Sequence, residues 1–73
     1  MKVTYDRSVD AAYIYLSEDI RDGYIKKTYL CDPDEVGGMI NIDFDEDGRI
    51  LGMEVLDASH HLSKKMLKDA VQI

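Results

Sequence analysis

The densest group of chemically capable side chains lies at residues 43–54. Asp43, Asp45 and Asp47 recur at alternate positions, and Glu54 follows after a glycine and five further residues. This spacing matches the calcium loop of an EF-hand, in which carboxylates supply most of the roughly six to eight oxygen ligands. An EF-hand also needs a helix on each side, whereas the alternating residues 39–45 predict a strand. The sequence favours a plain acidic hairpin turn, with calcium-like binding by Asp43, Asp45, Asp47 and Glu54 as an alternative.

A second group of potential ligands lies at residues 57–61, where two adjacent histidines follow an aspartate. Asp57 and His61 are four residues apart, so on a helix they would share one face and could bind a transition metal. Only one of two adjacent histidines can point that way, and solvated histidines in a first helical turn are the simpler interpretation. The Asp57/His61 pair is therefore the second metal-binding alternative.

Nucleophile candidates are few and lack a partner base. Ser59 precedes His60, but adjacent residues on a helix diverge by about 100°, so they cannot form a nucleophile–base hydrogen bond. Ser59 or Asp57 is expected to cap a helix instead. Cys31 is the only cysteine, and we expect a half-buried thiol at a strand end. We predict no catalytic residue, no cofactor and no enzymatic activity, and we assign no metal ligand beyond the two alternatives.

Length and charge exclude several classes of protein. The chain has 73 residues, and nine basic against fifteen acidic residues give a net charge of −6. This length fits one small domain covering residues 1–73. The acidic balance argues against nucleic-acid binding and suits a basic protein partner. The longest apolar run, residues 11–16, is far shorter than the roughly 20 residues that cross a bilayer. With a single cysteine, these features predict a soluble cytoplasmic protein without a membrane segment.

The elements that would position these side chains are mostly strands. Alternating or β-branched residues predict strands at residues 2–6, 11–17 and 24–31. Asp6 and Asp10 bracket the first turn and are expected to bond their own backbone. Acidic, proline and glycine residues predict polar loops at residues 18–23 and 32–38.

A hairpin and a helix complete the prediction. Strands 39–45 and 50–56 pair so that Ile42 faces Met53, Ile40 faces Val55 and Asp45 faces Ile50, which gathers the apolar side chains on one face. Beyond residue 59, apolar residues recur at helical spacing opposite lysines. The apolar positions are Leu62, Met66, Ala70 and Ile73, with Leu67 alongside, and the lysines are Lys64, Lys65 and Lys68. We predict an α+β fold: an antiparallel β-meander of four to five strands with one C-terminal helix packed on one face.

Three stretches of the chain resemble a known family. They are MKVTYD at residues 1–6, DAAYIYL at residues 10–16 and NIDFDEDGRILGMEVLDAS at residues 41–59. In this order they resemble the family called domain of unknown function 2283, whose members are small bacterial and archaeal proteins. The resemblance implies a compact α+β unit and brings no catalytic residues. Some members are encoded beside small toxin-like proteins, which implies an antitoxin-type role.

The tyrosines indicate where a partner would bind. Five tyrosines are many for this length, and Tyr13 and Tyr15 share the strand face opposite Ile14. One helix cannot cover both faces of a sheet, so this face is either an interface or packed on cross-strand neighbours. We expect a non-enzymatic interaction module that forms a homo-oligomer, a dimer, through a sheet edge or the tyrosine face. A small basic protein is the expected partner in an antitoxin-like role.

Overall fold

The computed structural model describes residues 1–17 and 24–73. These residues form one sheet of six strands with short helices, so the α+β class is confirmed. The polar loop predicted at residues 18–23 lies outside the described residues. The strands are β1 (Lys2–Asp6), β2 (Ala11–Tyr15), β3 (Lys27–Leu30), β4 (Ile40–Phe44), β5 (Ile50–Leu56) and β6 (Val71–Gln72), and the helices are α1 (Pro33–Val36), α2 (Ala58–His61) and α3 (Lys64–Asp69).

The strand order differs from the predicted meander. The sheet runs β3-β4-β5-β2-β1-β6, and neighbouring strands are antiparallel except β1 and β6, which are parallel. The prediction of four to five strands in sequence order is therefore wrong, because β5 returns to lie beside β2. That pairing sets Ala12 against Val55 and Ile14 against Met53, which joins apolar side chains of both strands on one face.

The β4–β5 hairpin follows the predicted register over most of its length. Ile40 faces Val55 and Ile42 faces Met53, so the alternation of apolar residues does fix the register. The register shifts after Asp43, and Phe44 pairs with Ile50. The predicted Asp45–Ile50 pair is wrong because a β-bulge intervenes.

The predicted single C-terminal helix is wrong, because the chain forms two short helices there. Leu62 is extended, with φ −115° and ψ 149°, which ends α2. Ser63 then caps α3, since its side chain accepts the Met66 N–H at 3.1 Å. After Ala70 the chain is extended again and forms β6 beside β1, so Ile73 is 74% exposed rather than part of a helical stripe.

A third helix lies inside the loop predicted at residues 32–38. Asp32 caps α1 by accepting the Asp34 N–H at 2.9 Å, and Pro33 occupies the first turn. Gly37 ends the helix with φ 74° and donates its N–H to the Pro33 carbonyl oxygen at 2.8 Å. An N-cap aspartate, an early proline and a glycine in the left-handed region are the local signals of a helix that begins and ends within a few residues.

The core lies on one face of the sheet and is small. Tyr5, Ala12 and Val55 are buried there with Ala58 of α2. Partly buried residues complete the cluster: Ile14, Ile40, Met53, Leu62, Leu67 and Ala70. Helices α2 and α3 thus supply apolar residues to this face, while Tyr13 and Tyr15 belong to the other. No helix in the described ranges is long and apolar enough to span a bilayer.

Candidate functional site

The acids that match a calcium loop in sequence each bond within the protein. Asp43 lies on β4, where its two carboxylate oxygens accept hydrogen bonds from the hydroxyls of Tyr13 and Thr28, both at 2.6 Å. Asp45 uses Oδ1 to accept the backbone N–H groups of Asp47 and Arg49, both at 2.9 Å. The Asp45 bonds close the hairpin turn, and the Asp43 bonds tie β4 to its neighbour β3 and, across β5, to β2.

The other two acids of the pattern also have protein partners. Asp47 forms an ion pair with Arg49 at 3.1 Å, and Glu54 accepts a hydrogen bond from Asn41 at 3.1 Å. Within residues 1–17 and 24–73, no three His, Cys, Asp or Glu side chains are grouped to hold a metal ion. The geometry therefore offers no support for the calcium-like alternative.

The Asp57/His61 pair lacks a third ligand in the same described residues. Asp57 precedes α2 with φ 50° and makes no side-chain capping bond, so its predicted capping role is wrong. The His61 ring packs against Gly38, where a Cβ would lie 2.6 Å from Nε2. His61 therefore packs the end of α2 against the segment that enters β4, and His60 is exposed.

The cap of α2 comes from a distant aspartate. Asp10 accepts the Ser59 N–H at 3.1 Å on Oδ1 and the Ser59 hydroxyl at 2.7 Å on Oδ2. The expectation that Asp10 bonds its own backbone is wrong, and so is the expectation that Ser59 acts as the cap. Asp6 does bond locally, since its Oδ1 accepts the Ser8 N–H at 3.0 Å.

Asp10 Oδ1 also accepts a hydrogen bond from the Tyr5 hydroxyl at 2.7 Å. The Ser59 hydrogen bond first, and the Tyr5 bond second, hold the pKa of Asp10 below its ordinary value. The same contact with Asp10 raises the pKa of Tyr5. A carboxylate with three donors and a low pKa is a poor general base, so this cluster joins the β1–β2 turn to α2 rather than activating Ser59.

The tyrosine face is held together by contacts among its own side chains, one along β2 and the others between strands. The rings of Tyr13 and Tyr15 lie 4.7 Å apart, and the Lys2 Nζ lies 5.5 Å from the Tyr15 ring centroid. Burial, and then the hydrogen bond to Asp43, raise the pKa of Tyr13. Of the two predictions for this face, the geometry supports packing on cross-strand neighbours.

Strand β3 is one of the two edges of the sheet. All four of its residues are exposed, and Tyr29 and Leu30 are 52% and 63% accessible. Eleven large hydrophobic residues are exposed in the described part of the chain, and five lie on or beside β3: Tyr24, Ile25, Tyr29, Leu30 and Met39. The β3 edge, the outer side of Lys27–Leu30, carries two of these residues, Tyr29 and Leu30, while Tyr24 and Ile25 precede it and Met39 lies just before β4.

The ladder between β3 and β4 determines which backbone groups face outward. The Cys31 N–H donates to the Ile40 carbonyl oxygen of the neighbouring strand at 2.9 Å. In an antiparallel pair every second residue bonds the neighbouring strand, so Tyr29, which lies opposite Ile42, also bonds toward β4. The N–H and C=O groups of Thr28 and Leu30 therefore face the outer side, where no described strand pairs with them. Cys31 itself is half-buried just beyond β3, as predicted.

The lysines of α3 lie on the polar side of the C-terminal segment, as predicted. Lys64, Lys65 and Lys68 are all exposed, and Lys65 pairs with Asp69 at 3.2 Å. Lys64 and Lys68 also line an open depression of about 650 Å³ beside Arg7. Solvent-exposed lysines of this kind are typical of a solvated helix surface.

Comparison with known proteins gives a family and no closer relative. No curated protein and no solved structure matches the chain at a significant level. The family model described as "Protein of unknown function (DUF2283)" matches residues 2–59 of the 73. The match spans β1 to β5 and the start of α2, and it ends before α3 and β6. Since it covers well over half of the chain, the protein belongs to the DUF2283 family, as the resemblance predicted.

Proposed function

We propose that this protein is a non-enzymatic interaction module that self-associates into a dimer through the β3 edge. The observation that carries the proposal is the pair of exposed apolar side chains on β3, Tyr29 and Leu30, each more than half accessible. An edge strand also presents unpaired N–H and C=O groups, which pair readily with a strand from another chain.

The rest of the molecule supports this choice of surface. The tyrosine face is engaged within the protein, because the Tyr13 hydroxyl bonds Asp43 and the Tyr15 ring packs against Tyr13 and Lys2. The opposite edge strand, β6, has only two residues, which is too short for a stable ladder. A four-residue edge contact buries less than about 1,200 Å², so we expect a dimer of micromolar affinity.

Sedimentation of a matched pair of variants tests the proposal. Leu30→Pro and Leu30→Ala both remove the exposed side chain, but only proline also removes the outward N–H. Wild type should sediment as a dimer at tens to hundreds of micromolar, Leu30→Ala as a weaker dimer, and Leu30→Pro as a monomer of 8.3 kDa. A wild-type monomer throughout that range would refute self-association. Equal dimerisation by the two variants would exclude backbone pairing through β3.

A small basic protein is the second candidate partner, in an antitoxin-like role. Exposed acids flank the β3 edge, with Asp34 and Glu35 on α1 beyond one end and Glu46 and Asp47 in the hairpin turn near the other. A photoreactive amino acid at position 29 would test it in the native host. Cross-linking to a basic protein would support this candidate, and cross-linking to a second copy alone would favour the dimer.

A further inference from the structure

We infer that two copies pair antiparallel about a two-fold axis at Tyr29, with Lys26 of each copy beside Asp32 of the other. This inference rests on the proposed self-association and adds the register in which the β3 strands of the two copies pair. Closed two-copy interfaces use the same patch on both subunits, so the β3 edge must be complementary to itself.

The outward backbone groups limit the possible registers. Only Thr28 and Leu30 present their N–H and C=O groups on the outer side of β3, because Tyr29 and Cys31 bond inward and the Lys26 N–H before the strand also bonds inward, to the Phe44 carbonyl oxygen. In an antiparallel pair, outward residues must therefore face outward residues. The axis then lies at Thr28, at Tyr29 or at Leu30.

Charge selects among these three axes. Lys26 precedes β3 and Asp32 follows it, and both side chains are exposed. An axis at Tyr29 sets Thr28 opposite Leu30. It also brings Lys26, whose own N–H bonds inward to the Phe44 carbonyl oxygen at 2.9 Å, to the same end of the contact as Asp32 of the other copy. An axis at Thr28 sets Lys26 against Leu30 instead. An axis at Leu30 brings Thr28 opposite Asp32 and runs the second copy into α1, where the chain is no longer extended.

The side chains of the selected register also suit each other. Tyr29 meets Tyr29 of the second copy at the axis, on the same face of the joined sheet, and aromatic cross-strand pairs stabilise such contacts. Asp32 is already oriented, because its Oδ1 accepts the Asp34 N–H at 2.9 Å. Its second oxygen therefore remains for the incoming Lys26.

Reversing the charges one at a time tests the pairing. Lys26→Glu places two acids together at each end of the contact, and Asp32→Lys places two lysines together. Each variant alone should dimerise about tenfold more weakly than wild type. An equimolar mixture of the two should regain the wild-type affinity, because every contact then joins opposite charges. Asp32→Asn, which keeps a capping oxygen, and Lys68→Glu on α3 serve as controls for lost capping and for altered net charge.

The possible outcomes distinguish a wrong register from a wrong proposed function. A wild-type chain that stays monomeric refutes self-association itself. A wild-type dimer that is unaffected by the single reversals, or a mixture no tighter than its components, leaves self-association standing and overturns the Lys26–Asp32 register. Restoration in the mixture supports the inference.

A cysteine cross-link gives a second test that does not depend on Asp32. In a Cys31→Ser background, Tyr29→Cys places two thiols opposite each other at the axis, within the Cα separation of about 4.4–6.8 Å that a disulfide spans. Mild oxidation should link this variant into a covalent dimer. Leu30→Cys in the same background should link far more slowly, because Leu30 faces Thr28. Preferential linkage through position 30 would move the axis and refute the inference.

Discussion

Tyr13 on β2 reaches across β5 and donates its hydroxyl hydrogen to Asp43 on β4 at 2.6 Å. The other oxygen of Asp43 accepts the Thr28 hydroxyl of β3 at 2.6 Å. A single carboxylate, only 7% exposed, thus links three strands on the face of the sheet opposite the core. Because β3 is held through Thr28, this network also positions the edge that we propose as the interface.

Removing the Tyr13 hydroxyl should destabilise the fold. Tyr13→Phe leaves one oxygen of the buried Asp43 carboxylate without its donor, and an unsatisfied buried group costs about 1–3 kcal/mol. Urea denaturation followed by circular dichroism should show this loss. Tyr15→Phe is the matched control and should change the free energy of unfolding by less than about 0.5 kcal/mol. Equal effects of the two substitutions would contradict the assigned role of the Tyr13–Asp43 bond.

The ring of Tyr13 lies directly over Gly52. A Cβ at that position would lie 2.5 Å from Tyr13 Cε1 and 2.8 Å from the Ile14 carbonyl oxygen. Because one of these atoms belongs to the backbone, the clash cannot be relieved by moving a side chain alone. We expect Gly52→Ala to destabilise the protein by about 1–3 kcal/mol, as overpacking does elsewhere.

Gly48 provides the comparison for Gly52. It has φ 82° and nothing within 4 Å of an added Cβ, and asparagine tolerates the left-handed region. Gly48→Asn should therefore lower the denaturation midpoint only through backbone strain, and by less than Gly52→Ala does. A larger loss for Gly48→Asn than for Gly52→Ala would show that steric contact with Tyr13 is not what restricts position 52.

The role of Asp43 illustrates the limit of sequence reasoning here. The alternation that places Ile42 opposite Met53 is local, so it predicts the hairpin register correctly as far as the shift after Asp43. The partner of Asp43, by contrast, lies thirty positions away. Finding it requires the strand order, since Tyr13 reaches β4 only because β5 lies beside β2. The acidic spacing consequently left a calcium loop as an alternative to a plain acidic turn, although Asp43 bonds side chains of two other strands.

The prediction for the C-terminal segment was wrong for a different reason. Of the predicted apolar stripe, Leu62, Leu67 and Ala70 do pack on the core, whereas Ile73 is exposed, so the buried side was predicted correctly only in part. The break at Ser63 has a local signal, a serine with its oxygen placed to cap the third following residue. The parallel pairing of Val71 with Thr4 has no such local signal, because it depends on where α3 places the residues that follow it.

Low pH should reduce the free energy of unfolding because Asp10 becomes protonated. Hydrogen bonds from Ser59 and then Tyr5 lower the pKa of Asp10 from its ordinary 3.8. The charged carboxylate therefore stabilises the folded chain above that value, and the contribution is lost as the pH falls through the lowered pKa of the folded state. Asp10→Asn lacks this dependence. The difference in free energy of unfolding between wild type and Asp10→Asn should be constant above about pH 5 and shrink below pH 4.

Ser59→Ala isolates the cause of that dependence. It removes the hydroxyl that contributes most to the lowered pKa of Asp10 but leaves the Ser59 backbone N–H and the Tyr5 hydroxyl in place. The pH dependence of its stability should accordingly lie between those of wild type and Asp10→Asn. Urea denaturation at half-unit steps from about pH 3 to pH 6 measures all three. Parallel curves for wild type and Asp10→Asn would show that the cap of α2 does not depend on the charge of Asp10.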